Sequence, residues 1–246
     1  MPATPAWPCR SLPRLFVRTA LGEGATVELD GPHANYLGNV LRLRGGGEVL
    51  LFDGASGEWL ARIAEVGKKR MSLSVERRTR PVEAVPDLWL AFAPVKRAQV
   101  DWLVEKATEL GVARLLPVIT RRTVVERIKG ERLASIAVEA AEQCGRTLVP
   151  EIAEPVGLDA LLSARDPGRT LYFADETGGE SLGTAFAPGP ALILTGPEGG
   201  FTPEERAAIR AAPGVRPVSL GPRILRAETA ALAGVAAWMA LAGDWR

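Results

Sequence analysis

The sequence predicts an α/β protein in two parts: a small antiparallel β-barrel, then a larger domain around a mainly parallel sheet. Three observations predict it. Short strand-like segments rich in branched and aromatic residues recur between glycine-bearing turns over roughly the first 80 residues. Strand and helix patterns then alternate for about 160 residues, as parallel βαβ construction requires. The charge also changes character at that place. Residues 1–80 hold 12 Lys and Arg against 8 Asp and Glu, whereas residues 81–246 hold 18 against 21. The whole-chain net charge of +1 conceals this division, which suggests separate jobs for the two parts. Pro81-Val-Glu-Ala-Val-Pro86 is the natural linker, because each proline biases its predecessor toward extended backbone. The predicted domains are therefore 1–80 and 81–246.

In the first part the strand candidates are Arg14–Arg18, Val49–Phe52, Trp59–Val66 and Met71–Glu76. Gly45-Gly-Gly47, Asp53-Gly54 and Gly67-Lys-Lys69 punctuate them. Pro32–Arg42 reads as a short inserted helix. In the second part Leu88–Ala93 is a short apolar strand. Val100, Leu103, Val104, Ala107 and Leu110 then form one helix face, stopped at Gly111. Val112–Val118, Leu171–Ala174 and Ala191–Thr195 are further apolar strands, and Glu131–Gln143 is a helix with Gly145 as its stop. Pro203–Ala211 is a helix with Thr202 as N-cap, proline at its first position, and Glu204 and Glu205 in its first turn. Val215–Leu220 contains Pro217, so it is expected to be short or at an edge. Glu228–Leu241 is a helix, apolar almost all round.

Composition narrows the function classes. Hydrophobic residues make up 47% and charged residues 24%, an ordinary globular balance that excludes a disordered or collagen-like chain. Cys9 and Cys144 form no CxxC pair, which points to a reducing cytoplasm. The single histidine, His33, rules out a multi-histidine metal site, and no metal is expected. No apolar run reaches the roughly 18 residues of a membrane span, so no membrane partner is expected. Met1–Leu12 holds three prolines and an arginine without an apolar stretch, and reads as a leader rather than a signal peptide.

Two segments stand out as carriers of chemistry. Leu194-Thr-Gly-Pro-Glu-Gly-Gly-Phe201 leaves a strand and enters the capped helix. Its glycines allow a backbone to approach a ligand, although a tight turn needs them equally. No lysine follows in phosphate-loop position, and no G-x-G-x-x-G occurs, which argues against a dinucleotide site. Leu220-Gly-Pro-Arg-Ile-Leu-Arg-Ala-Glu-Thr-Ala230 also leaves a strand and enters a helix, with Arg223, Arg226, Glu228 and Thr229 close together. A plain surface turn has little use for Ile224 and Leu225 between two arginines.

These two segments together resemble the SPOUT superfamily of methyltransferases. Within it they resemble the family that methylates N3 of a uridine in small-subunit ribosomal RNA. Lys106-Ala-Thr-Glu-Leu-Gly-Val112 and Glu139-Ala-Ala-Glu-Gln-Cys-Gly-Arg146 agree with that family. Pro13-Arg-Leu-Phe-Val17, Asn39-Val-Leu-Arg-Leu-Arg44 and Leu51-Phe-Asp-Gly54 resemble its PUA-like RNA-binding barrel. The resemblance implies a knotted α/β domain, a homodimer and S-adenosyl-L-methionine as cofactor. It places the cofactor against Phe173 and Ala174, against Thr195, Gly196, Pro197, Glu198, Gly199 and Gly200, and against Leu220, Gly221, Ile224, Leu225 and Thr229. His33 is assigned no role.

The chemistry suggests two arginines for catalysis. Removing the imide proton from uracil N3 leaves negative charge on the ring oxygens, which a fixed guanidinium stabilises. Arg226 sits beside the cofactor loop and is the candidate; an ion pair with Glu228 or with a second subunit is the alternative. Arg14 is the second candidate, as an RNA contact that reaches the other subunit's site, with an exposed strand-end charge as the alternative. RNA affinity is expected from phosphate contacts of Arg42, Arg44, Lys68, Lys69 and Arg70, and of Arg122 in a second basic cluster. The expected partner is small-subunit ribosomal RNA, free or in the subunit. A relative with another RNA target and a non-enzymatic RNA adaptor are the competing readings.

Overall fold

The computed structural model describes residues 12–67, 70–125 and 128–245. Lys68, Lys69, Arg127, Cys9 and nearly all of the leader lie outside the described residues. The chain forms two compact units. One holds the residues up to Ala84 together with Ala141–Val149, beyond the single cut that the sequence suggests. The other holds Val85–Ala140 and Pro150 onward.

The first unit is a five-stranded sheet, β1 (Arg14–Phe16), β2 (Thr26–Asp30), β3 (Glu48–Phe52), β4 (Glu58–Val66) and β5 (Arg70–Arg80), in the order β1-β3-β4-β5-β2. Val27 and Leu29 of β2 and Met71, Leu73 and Val75 of β5 turn inward at the two-residue period of a strand. Three register shifts between β4 and β5 coil the sheet into a half-barrel. It is mixed rather than wholly antiparallel, because β1 runs parallel to β3 with Arg14 opposite Leu50. β2 escaped the sequence reading: Thr-Val-Glu-Leu-Asp carries only two apolar residues, a weak periodic signal. The helix expected over Pro32–Arg42 is α1 (Gly31–Asn35) continued by a π-helical turn over Tyr36–Val40. The chain leaves it through Arg42 at φ 57°, a left-handed conformation unusual for a side-chain-bearing residue.

The second unit is a parallel sheet. Its elements are β6 (Leu88–Phe92), α2 (Arg97–Glu109), β7 (Arg114–Ile119), α3 (Gly130–Cys144), β8 (Glu151–Ile152), β9 (Val156–Gly157) and α4 (Leu158–Ala164). They continue through β10 (Thr170–Ala174), β11 (Glu180–Ser181), α5 (Leu182–Ala185), β12 (Ala191–Thr195), α6 (Pro203–Ala211), β13 (Val215–Ser219) and α7 (Ala227–Leu241). The strand order is β11-β13-β10-β12-β6-β7-β8, with β9 on β7. β12 is buried along its whole length, as a strand covered on both faces must be. Pro217 is accommodated because β13 has only the two-residue β11 on its outer side, paired at Val218 and Ser219. The capping box at Thr202 forms as expected: its hydroxyl accepts from Glu205 N–H while Glu205 accepts from Thr202 N–H.

The course of the chain positions the site. From β12 it passes β10 to form β13, then doubles back so that α7 lies against β12, β6 and α2. This doubling back is the course that the resemblance leads one to expect. Gly234 permits the close approach, since a Cβ there would meet Ile193 Cγ2 at 3.3 Å. α7 buries Ala231, Val235, Trp238 and Met239 against the sheet, so one face of the apolar helix is core.

Candidate active site

Parallel sheets bind ligands beyond the carboxyl ends of their strands. Here a cavity of about 570 Å³ opens beyond β10, β12 and β13, a volume suited to a small organic ligand. Three loops and the first turns of α2 and α7 line it.

The middle loop is Thr195–Phe201. Phe201 is buried and stands edge-on to Phe173, with ring centroids 5.4 Å apart. This tuck draws the glycines inward. A Cβ on Gly196 would lie 2.8 Å from the Phe201 ring, so only glycine fits without backbone movement. Gly200 has φ 66° and its missing Cβ would meet Glu176 Oε1 at 2.9 Å. Thr195, Gly196, Pro197, Glu198 and Gly200 line the cavity. Gly199 does not; its carbonyl accepts from Arg122 Nη1 at 2.6 Å. Arg122, expected on RNA, is therefore tied to the cofactor-loop candidate. Glu205 fixes the same region by accepting from Arg121 N–H at 2.8 Å.

The loop after β10 is organised by Asp175. This residue is buried and accepts from Thr177 N–H at 2.9 Å, Thr177 Oγ1 at 2.7 Å and Arg210 Nε at 2.8 Å. Burial alone would raise its carboxyl; the Thr177 and Arg210 hydrogen bonds outweigh burial and hold it below the ordinary value. Ala174, Asp175 and Glu176 line the cavity, while Phe173 faces the core. The third loop contributes Leu220, Gly221, Ile224 and Leu225, with Ile224 88% exposed. Thr229 is exposed and off the cavity wall; Ala230 lines it instead, one position further round the helix.

The structure separates the two candidate arginines. Arg226 caps α7 at the cavity wall and is exposed. It makes no ion pair with Glu228 or with any other described residue. Arg14 instead is enclosed. Its Nε donates to Glu58 Oε2 at 2.7 Å, and its remaining donors reach the carbonyls of Ala141, Glu142 and Arg146 at 2.7–2.8 Å. Arg14 is thus neither an exposed charge nor available to RNA. It ties residues 141–146 to the sheet of the first unit.

Sequence reasoning singled out Arg223 but missed Lys96, Gln99, Asp175 and Glu176 on the cavity wall. Asp175 carried a readable signal, since Asp-x-Thr-Gly after a strand is turn chemistry. Lys96 and Gln99 carried none, because they come from a distant helix start. Gln99 Oε1 is buried without a hydrogen-bond partner, an acceptor available to a ligand donor. Among the described residues no group of His, Cys, Asp and Glu could hold a metal ion.

Known proteins settle the family. The family described as an RNA methyltransferase domain matches residues 83–239, and an RNA methyltransferase PUA domain matches residues 29–76. The chain belongs to this RNA methyltransferase family. The curated relatives of the methyltransferase include ribosomal RNA small subunit methyltransferase E of Rickettsia conorii, 31% identical over 229 residues that cover 91% of this chain and 93% of that one. The Synechocystis protein of the same name is 34% identical over 84% of this chain and 70% of its own. Among solved structures, ribosomal RNA small subunit methyltransferase E of Neisseria gonorrhoeae, bound to S-adenosyl methionine, superposes with a TM-score of 0.88. It is 32% identical and covers 96% of this methyltransferase and 100% of its own chain. A Legionella pneumophila methyltransferase with bound cofactor gives 0.87 at 30% identity, covering 95% and 99%.

Proposed function

We propose that this methyltransferase transfers a methyl group from S-adenosyl-L-methionine to N3 of one uridine in small-subunit ribosomal RNA, as a cytoplasmic homodimer. The cavity framed by the loops after β10, β12 and β13 carries the reading. Its chemistry suits the cofactor. Backbone-rich walls at Gly196, Gly200 and Gly221 take a flat adenine closely, and Ile224 and Leu225 give it apolar cover. Glu176 and Glu198 match a sulfonium and an amino group; Lys96 and Arg223 match a carboxylate; Gln99 Oε1 awaits a donor. When bound, the cofactor supplies an electrophilic methyl group.

The chain's own residues then have two tasks. The three loops and α7 hold the reactants in line, which contributes up to about 7–11 kcal/mol in well-oriented reactions. Arg226 faces a uracil carbonyl oxygen and stabilises the charge that develops there as the N3 proton passes to water. Its planar guanidinium fixes the direction of its donors on that oxygen, which an ammonium does not. Residues up to Arg80 supply RNA affinity through Arg42, Arg44 and Arg70, exposed cations of the first unit. The homodimer is supported by exposed apolar residues of the second unit: Trp102 at 45%, Leu241 at 45% and Trp245 at 50%.

Arg226→Lys is the test. It should bind the cofactor normally while kcat on small-subunit RNA falls about 10²-fold or more, with 3-methyluridine identified by mass spectrometry of the nucleosides. An unchanged rate removes Arg226 from the mechanism, and a methyl group found on another atom overturns the N3 assignment.

A further inference from the structure

The first unit contains a second cavity, of about 490 Å³, lined by residues that the first cavity does not use. One wall is α1 with its π-helical continuation; the other is formed by the end of β2 and the start of β5. Its floor is apolar, with Ala34 and Met71 buried. Two exposed arginines, Arg44 and Arg70, stand on the wall. The Arg70 guanidinium makes no hydrogen bond or ion pair with any described residue, and that of Arg44 uses only Nη1, on the carbonyls of Gly38 and Leu43 at 3.3 Å.

Between the arginines and the floor lie two amides. Asn39 Nδ2 donates to Asn35 Oδ1 at 2.8 Å. This bond leaves Asn35 with a free amide donor and Asn39 with a free carbonyl acceptor, side by side and in fixed order. The backbone here is unusual twice over: π-helical turns are rare and gather at functional sites, and Arg42 holds a left-handed φ of 57°.

We infer that this cavity is a subsite for one unpaired nucleotide of the RNA, with its phosphate on Arg70 and Arg44 and its base edge on Asn35 and Asn39. The inference rests on the reading of RNA as substrate. The apolar floor takes a base face, and Met71 offers a polarisable thioether to it. Asp30, opposite Arg70 in the β2–β5 register, provides an acceptor for ribose hydroxyls. Uracil presents a carbonyl acceptor on each side of its ring N–H and so meets such a pair in either order. Adenine and cytosine present an exocyclic amino donor beside a ring-nitrogen acceptor and meet it in one order alone. The subsite therefore favours uracil over adenine and cytosine, a direct contact of the sort single-stranded RNA allows.

Fluorescence anisotropy of the full-length protein with short single-stranded homopolymers of U, C and A tests this. Wild-type protein should bind U more tightly than C and A by about tenfold. The Asn35→Ala/Asn39→Ala double variant should erase that ratio. Arg70→Ala should weaken all three alike and lower the salt slope by about one phosphate contact. Thermal melts confirm that each variant is folded, and both sites of change are exposed. Equal affinity of wild-type protein for the three polymers, or a ratio that survives the double variant, overturns the inference. Uridine, cytidine and adenosine 5′-monophosphates form the second arm; binding as tight as the homopolymers would assign the cavity to a free nucleotide instead of RNA. Methyl transfer to small-subunit RNA, measured alongside, tells the two readings apart: transfer without base discrimination defeats the subsite alone, and discrimination without transfer defeats only the catalytic proposal.

Discussion

Glu58 shows how one carboxylate can hold a unit together. It is 3% exposed and receives Arg14 and Arg80, each at 2.7 Å from Oε2. Burial pushes its carboxyl up, but hydrogen bonds from Arg80 and Arg14 overcome this and leave it below the ordinary value. A depressed carboxylate contributes stability that is complete above its unfolded value and lost as pH falls through its folded value. Thermal melts on an acid series should therefore show a loss of stability that Glu58→Gln does not share in that range. At neutral pH the same variant should cost about 1.5–3 kcal/mol, because it weakens the charged hydrogen bonds from both guanidinium groups. A melting temperature unchanged by the substitution would show that the three charges are independent. Glu228 is the contrasting case. It is 8% exposed and its Oε2 has no hydrogen-bond partner. Glu228→Gln removes a buried charge and should raise the melting temperature of the isolated protein, by a gain of about 1 kcal/mol.

At the scale of elements, the loop from Thr195 to Phe201 has its shape set by one aromatic contact. Gly196→Ala forces the new methyl into Phe201, which is itself locked edge-on against Phe173. The loop backbone must shift, and a wall of the cavity with it. Cofactor affinity by calorimetry should drop tenfold or more, about 1.4 kcal/mol, while α6, held by its own capping box, should keep its helical signal. Normal affinity would show the loop to be tolerant. α7 makes the complementary point. Its sequence has no polar face, and only the structure tells which side is core: Ala231, Val235, Trp238 and Met239 lie inward. The exposed apolar residues Trp102 of α2 and Leu241 at the end of α7 make Trp102→Glu the test of self-association. Sedimentation should find monomers for the variant and dimers for the wild type; dimers in both would move the interface elsewhere.

At the scale of the whole molecule, the chain is not divided by one cut. Ala141–Val149 belong to the first unit, held by Arg14, by Arg80 on the Gly145 carbonyl at 2.9 Å, and by Glu83 on the backbone of Thr147 and Leu148. A protein shortened to residues 85–246 loses all three holders. It should show weakened amide protection over residues 141–149 by hydrogen exchange; full protection there would mean that those contacts are dispensable. RNA binding is better probed in the intact chain, through the salt slope.

Much of this was legible in the residue order. Period-two and period-3.6 patterns located β3, β4, β6, β10, β12, α2, α3, α6 and α7 to within a few residues, because burial on one face imposes those periods on any chain. The two glycine-bearing segments marked the loops after β12 and β13, since only glycine permits such close backbone approach. The assembly of the site was not legible. Lys96 and Gln99 join the cavity because β6 lies beside β12, and Arg14 is enclosed because residues 141–146 fold back on it. Local periodicity records which way a side chain faces along its own element. It carries no record of strand order or of a chain that doubles back, so the neighbours that make a pocket, or bury a charge, are decided only when the distant segments meet.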